Sequence, residues 1–351
     1  MSYFVVVPGA LVPAPIAPPL LARARPPFLA RRLRHAQANP PQVLTGDGAA
    51  HLDWLWAQFG APEERPITAP YAWRALNRTS AIDVPSDQPL WQADPVHFAL
   101  ARDRLLVTQL DAEAAVTPDE SRALAAEAAP IMAGFNATLR VIDSSHWFLS
   151  FDTPWPLTTV GYVAALGRSA DQVLPSGEAA ARWRKLLTEI QIAWHQHPVN
   201  ERREAAGLRT INGLWLHGGG VWRELPRRPF DAIAASDATI RGWALASGIA
   251  PNALMPAESK PVGVSSALTY WPDLLSFSIN EDWDAWLGAL AHVDEKFEGH
   301  VTHAFANGFN DVRLVLAGRE AVRNVVLKRS DGLRFWRNNP ISELFAEPES
   351  A

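Results

Sequence analysis

The chain has 351 residues, 48% of them hydrophobic, with 32 basic and 37 acidic side chains giving a net charge of −5, and no cysteine. Such a composition suits one large or two ordinary folded domains with well-buried cores, and it excludes disulfides, thiolate metal sites and cysteine nucleophiles. The slight acidity gives no overall electrostatic reason to bind nucleic acid or an anionic membrane, so any anion site must be local.

Near the start, the run from Phe4 to Val7 reads as a buried strand stopped by Pro8 and Gly9. The opening "YFVVVPGALVPAPIAPPLLARARPP" lacks a basic start and is broken by proline. It therefore reads as mature sequence, with the cytoplasm as the expected compartment. No window approaches the roughly 20 uninterrupted apolar residues of a membrane span. "FLARRLRHA" is expected as a short helix with solvated arginines, and Leu52, Leu55, Trp56 and Phe59 fall at helical spacing within 47–59. Prolines 62, 66 and 70 punctuate a connection, and a soft boundary is expected near Ile82 to Pro89.

"WQADPVHFALARDRLLVTQLD" has two apolar runs flanking "ARD", the pattern of a hairpin. In "TPDESRALAAEAAPIMAGFN", Thr117 as N-cap, Pro118 at the first helical position and Glu120 three residues after the cap make a capping box. "TLRVID" and "HWFLSFD" read as strands. Trp183, Leu186, Leu187, Ile190 and Trp194 then recur at helical spacing until Pro198 forbids continuation. Asn200 is expected to cap "ERREAA", with Gly207 as terminator. "TINGLWL" and "FDAIAAS" read as strands, and "ATIRGWALASG" as a helix capped by Ser236 or Asp237. A long helix over about 282–307 precedes the strands "VRLVLAG" and "RNVVLKR", with "SDG" turning the second into "LRFWR". The order of strands and helices favours an α/β layer architecture. The fifteen tryptophans are expected as core and interface filler.

The richest stretch is "HPVNERREAAGLRTINGLWLHGGGVWRELP", residues 197–226. A strand ending in Gly218, Gly219 and Gly220 would expose backbone N–H groups able to wrap an anion, with arginines 202, 203, 223, 227 and 228 in reach as bidentate partners. The same glycines serve equally to make a tight turn, and the same arginines to be solvated. His217, at the strand end, is the histidine best placed for chemistry, whereas His97 and His146 read as structural. His195 and His197 are two apart and form no ready chelate. His300 and His303, with Asp294, Glu295 and Glu298 nearby, could hold a metal or simply line a solvated helical face. There is no "HExxH" and no serine in a nucleophile elbow.

Several of these segments, including "ADPVHFALARDRLLV", "TPDESRAL", "HWFLSF", "HPVNERREAAGL", "INGLWLHGGG" and "SDATIRGWALASGI", run in an order that resembles the archaeal-type, cofactor-independent phosphoglycerate mutases of the alkaline phosphatase superfamily. The resemblance covers about residues 90–250, and its most specific pieces are "HPVN" followed by Arg203 and the tryptophan strand ending in glycines. The whole chain also looks like the RpfE-type regulatory proteins of bacteria. The resemblance implies an α/β fold: a phosphatase-like or mutase-like mixed sheet with flanking helices and a smaller inserted α+β domain. It places a degenerate phosphatase-like core in 1–88 and 251–351 and a substrate-side region in 89–250.

Enzymes of that superfamily hold two divalent metals on Asp and His ligands, beginning with an Asp-Gly pair directly after the first strand. Here that strand runs into Pro8 and Gly9, and "SSALTYWPDLLSFSINEDWDAW" is apolar and aromatic where further ligands are wanted. The expectation is a catalytically degenerate, mutase-like protein without metal or cofactor, with a regulatory role or one of binding an anionic ligand, a small phosphorylated or carboxylate compound. Its site residues would be His197, Asn200, Arg203, His217, Gly218, Gly219, Gly220 and Arg241. Arg203 would be the anion clamp, Asn200 the cap or donor, and His197 and His217 pH-sensitive donors. Two alternatives stand beside it: an active mutase or phosphatase holding manganese or zinc through Asp294, His300 and His303, and a protein-interaction module presenting its tryptophans.

Overall fold

The computed structural model describes residues 1–24, 26–44, 49–63, 65–77, 87–101, 104–110, 115–334 and 336–348. The chain divides into two compact units, one made of Met1–Arg65 with Glu224–Ala351, the other of Pro66–Arg223. The joints therefore fall at 65/66 and 223/224 in place of 88/89 and 250/251, and most of the expected boundary, 82–86, lies outside the described residues. Two local causes move them. The helix α4 (Ala69–Leu76) packs on the strands of the second unit, whereas the strand and helix formed by residues 232–246 belong to the parallel sheet of the first.

In the first unit, β1 (Ser2–Pro8) is followed by helices α1 (Ala17–Ala24), α2 (Pro27–Leu33) and α3 (Ala50–Gln58). The helix expected over 47–59 is thus found from residue 50, residues 45–48 lying outside the described ones. In the second unit, α4 leads to the hairpin β2 (Leu90–Ala101) and β3 (Arg104–Thr108), then α5 (Pro118–Gly134), β4 (Ala137–Asp143) and β5 (His146–Phe151). Helices α6 (Ala180–His195) and α7 (Pro198–Ala205) precede β6 (Gly213–Gly220). The chain then returns to the first unit with β7 (Ala232–Ala234), α8 (Ala238–Ala246), β8 (Leu254–Met255), β9 (Ser266–Tyr270), α9 (Trp283–Ala306), β10 (Asp311–Ala317) and β11 (Ala321–Lys328). Instead of turning into another strand, "SDG" forms a 3-10 helix over Arg329–Leu333, because the Asp331 carboxylate accepts from the Lys328 N–H at 2.7 Å and closes a turn there.

Among the described residues the first unit carries an eight-stranded mixed sheet in the order β8-β7-β9-β1-β10-β11, with the short strands Gln37–Ala38 and Gln42–Val43 both on β11. Strands β8, β7, β9, β1 and β10 are parallel and β11 is antiparallel. The period of two in β1 serves both faces. Tyr3, Val5 and Val7 join the core beneath α1, α2 and α9, while Phe4 meets Trp54 of α3 and Phe230. The second unit carries the order β3-β2-β5-β4, with β6 also paired to β2. Trp147 of β5 meets Trp194 of α6 edge to face, and the Trp194 indole donates to the Leu124 carbonyl of α5.

Helix boundaries follow capping chemistry. The Thr117–Glu120 capping box forms as the sequence predicts, and Asp237 caps α8 by accepting from the Ile240 N–H at 2.9 Å. Helix α7 differs. Pro198, which lacks an N–H, takes the first helical position, so His197 becomes the N-cap and its Nδ1 accepts from the Val199 N–H at 3.2 Å. Asn200 consequently lies inside the first turn.

Candidate functional site

The glycine run does not form an anion-wrapping loop. It continues the strand, with Gly220 paired to Leu90 across a bulge in the β2–β6 ladder. Its lack of side chains serves close approach. A β-carbon at Gly218, where φ is +62°, would overlap Thr68 Oγ1; one at Gly219 would fall into the Trp91 ring; one at Gly220 would lie 2.6 Å from Ile67. The Gly218 carbonyl accepts from the Thr68 N–H at 3.0 Å, and the Thr68 hydroxyl donates to Gln92 at 2.6 Å. Beside Gly219 and Gly220 is a cavity of about 160 Å³ walled by Trp91, Phe151, Trp155 and three prolines, an apolar lining ill suited to an anion.

Asn200 and Arg203 are buried and engaged in holding α7 to its surroundings. The Asn200 amide donates to the Trp194 and Ile211 carbonyls at 2.8 Å and accepts from the Ile211 N–H at 2.7 Å. The Arg203 guanidinium donates from Nε to the Arg209 carbonyl at 2.7 Å and from Nη1 to both Glu120 oxygens at 3.0–3.1 Å. Burial pushes the Glu120 carboxyl upward, but the Thr117 N–H and the Arg203 charge outweigh it and hold the group below the usual carboxylate range. These residues meet the chain at Arg209–Ile211, before β6 begins, whereas His217 to Gly220 close its far end. At strand rise the separation is roughly 20 Å, so the expected convergence does not occur. Arg241 belongs to the first unit, where its Nη1 donates to the Ala235 carbonyl at 3.1 Å and the Met255 carbonyl at 3.4 Å, tying β7 to β8.

His217 is the sequence-selected residue whose setting retains chemistry. Its Nε2 lies 2.8 Å from Asp94 Oδ2 on β2, and its ring stacks on Tyr162 with centroids 6.1 Å apart. With the carboxylate accepting from Nε2–H, the tautomer is fixed and Nδ1 is left as an acceptor. Asp94 Oδ1 is buried without a hydrogen-bond partner among the described residues. Burial, and then the Asp94 charge, push the Tyr162 hydroxyl far above its ordinary value, so it remains a neutral donor.

A second polar group lies in the first unit, around the ends of β7 and β9, and the sequence pattern did not single it out. His51, in the first turn of α3, is 1% exposed; its Nδ1 has no hydrogen-bond partner among the described residues. Burial alone pushes its pKa down to about 3. Its ring lies 6.1 Å from that of Tyr270, at the end of β9. Burial and the nearby Asp237 carboxylate keep the Tyr270 hydroxyl protonated. The carboxyl ends of parallel strands are where open α/β sheets ordinarily receive ligands.

The residues of α9 considered as metal ligands have other partners. Asp294 accepts from the Phe28 and Leu29 N–H groups at 3.2 and 2.6 Å, capping α2 from outside. His300 Nδ1 meets the Tyr3 hydroxyl at 2.6 Å, and that hydroxyl meets Thr269 at 2.6 Å. Burial, helped by the charges of Lys260, Lys296 and His303, pushes the pKa of His300 down to about 4. His303 Nε2 lies 3.2 Å from the Pro261 carbonyl. No helix among the described residues is long and apolar enough to cross a membrane.

No family model matches this sequence, and no curated protein matches it. Similar solved structures include the following two. The PH0037 protein from Pyrococcus horikoshii aligns with 97% of this chain and 91% of its own at a TM-score of 0.56 and 14% identity. The cofactor-independent phosphoglycerate mutase from Thermoplasma acidophilum aligns with 100% of this chain and 95% of its own at a TM-score of 0.45 and 13% identity. At 14% identity the likeness to the Pyrococcus protein concerns the fold alone: a mixed α/β sheet with flanking helices.

Proposed function

We propose that the chain is a phosphoglycerate-mutase-like protein that no longer performs phosphoryl transfer and works as a regulatory or ligand-binding protein of the RpfE type. One observation carries the reading: β1 delivers Pro8 and Gly9 to the sheet edge where the first metal ligand of such enzymes is wanted. Pro8 stays in the ladder opposite Ala317. A side chain at Gly9, where φ is +74°, would meet the Leu274 carbonyl oxygen at 2.7 Å, and the Gly9 carbonyl accepts from the Trp286 indole at 2.8 Å. The neighbouring strand β9 ends on Tyr270 and leads into Trp271, both buried. This edge is thus built for packing, and among the described residues its donor set does not fit a pair of divalent ions: His51 offers one unpartnered ring nitrogen, and Asp237 is engaged in capping. Two-metal catalysis needs the ions to stabilise both attacking and leaving oxygens, and the described side chains of this edge do not supply the ligands for such a route.

The partners of Asp294, His300 and His303 speak against the alternative enzyme reading. Burial of Trp147, Trp183, Trp194, Trp215, Trp243, Trp271 and Trp286 speaks against tryptophans as a partner surface. Purified protein supplied with manganese or zinc should show neither stoichiometric divalent metal nor interconversion of 2- and 3-phosphoglycerate. Two ions per chain together with chelator-sensitive turnover would overturn the proposal.

A further inference from the structure

We infer a second kind of site in the first unit: a preformed receptor for a soluble polyanion, with clustered phosphate groups on a body that has an apolar face. It stands on a cavity of about 880 Å³ between the end of α2, the end of β11 and residues 331–332 and 338–341. This inference is independent of whether phosphoryl transfer has been lost. The cavity lies beside Lys328, which pairs with Asp311 at the start of β10, itself paired with Ser2 at the start of β1. It is therefore on the edge where the parallel strands begin, opposite the edge that holds His51 and Tyr270.

Charge is the first argument. Arg31, Arg32, Arg34 and Lys328 line the cavity in a protein whose net charge is −5. Of these, Arg32, Arg34 and Lys328 have no carboxylate partner among the described residues. The lining carboxylate, Asp331, is already held by the Lys328 N–H at 2.7 Å and lies 3.6 Å from Arg334 Nε, so it leaves the cavity cationic. A concave surface lined by one sign of charge concentrates the field where a ligand would sit.

Preorganisation is the second argument. Arg34 Nε donates to Asn338 Oδ1 at 2.9 Å, and the Asn339 amide donates to the Leu33 and Ala36 carbonyls at 3.0 Å. These bonds fix the arginine-bearing segment to the opposite wall, so binding would cost little ordering. Phe305, Leu327 and Ile341 supply apolar wall, which suits an organic body carrying the phosphates better than free phosphate alone.

Calorimetric titration with tripolyphosphate at low ionic strength tests this on the full chain. One saturable site per chain is expected, weakening as salt is raised. The exposed double variant Arg32→Glu with Lys328→Glu should weaken binding at least about tenfold, because it replaces two charge-assisted contacts with repulsion. The same change of net charge at Arg184→Glu with Arg202→Glu, on exposed positions of the second unit, should leave binding unchanged. Circular dichroism checks that both variants fold. Equal loss in the two variants, non-saturable uptake, or binding to anionic vesicles or an oligonucleotide with none to tripolyphosphate would each overturn the inference.

Discussion

His51 and His300 carry the sharpest consequence at the scale of single residues. Both are buried in the neutral form, with pKa values pushed down from 6.5 to about 3 and about 4. In the unfolded chain each takes up a proton near pH 6.5, whereas the folded chain resists until far lower pH. Between these values the unfolded state binds more protons, so stability rises with pH. Their contribution is fully present above about pH 6.5 and is lost progressively as pH falls toward 4. Urea denaturation between those limits should show a midpoint that declines with acidity. His300→Gln, which retains a partner for the Tyr3 hydroxyl, should make the decline shallower; an unchanged slope would show that the buried imidazole is not its source. Neither residue's environment could be read locally. His300 owes its burial to Tyr3 and Trp271 from distant strands, and His51 sits against Tyr270 across the sheet edge.

For elements, the contrast between helices and β6 is instructive. The start of α5 was legible because Thr117, Pro118 and Glu120 cap it locally, and α6 and α9 because their apolar residues recur at helical spacing. The start of α7 was open to the same logic: Pro198 at the first helical position designates His197 as cap, a stronger signal than Asn200. The glycines of β6 were illegible because what they accommodate, Trp91, Ile67 and Thr68, lies far away in sequence. Gly219→Ala therefore tests packing directly. It should cost about 2 kcal/mol through overpacking against the Trp91 ring, seen as a lowered thermal midpoint. A stability unchanged from the parent chain would return the run to a loop-like role. The pairing of His217 with Asp94 was hidden in the same way, since only the antiparallel register of β2 and β6 brings them together.

At the scale of the molecule, the α/β class followed from the order of strands and helices, but the joints between units did not. A short amphipathic helix such as α4 carries no mark of which sheet it will cover. Pro66–Arg223 is one continuous segment with its own ladders and its own tryptophan core. Expressed alone, residues 66–223 should fold and melt in a single cooperative transition by circular dichroism; a broad, featureless melt would mean that this segment depends on the rest of the chain. The other unit cannot behave this way during synthesis. Its central strand β1 lies between β9 and β10, with Ser2 opposite both Ser266 and Asp311. During synthesis β1 must wait through more than 250 further residues before either neighbour exists. Its valines meanwhile remain available to chaperones, and the sheet assembles through a slow, long-range closure.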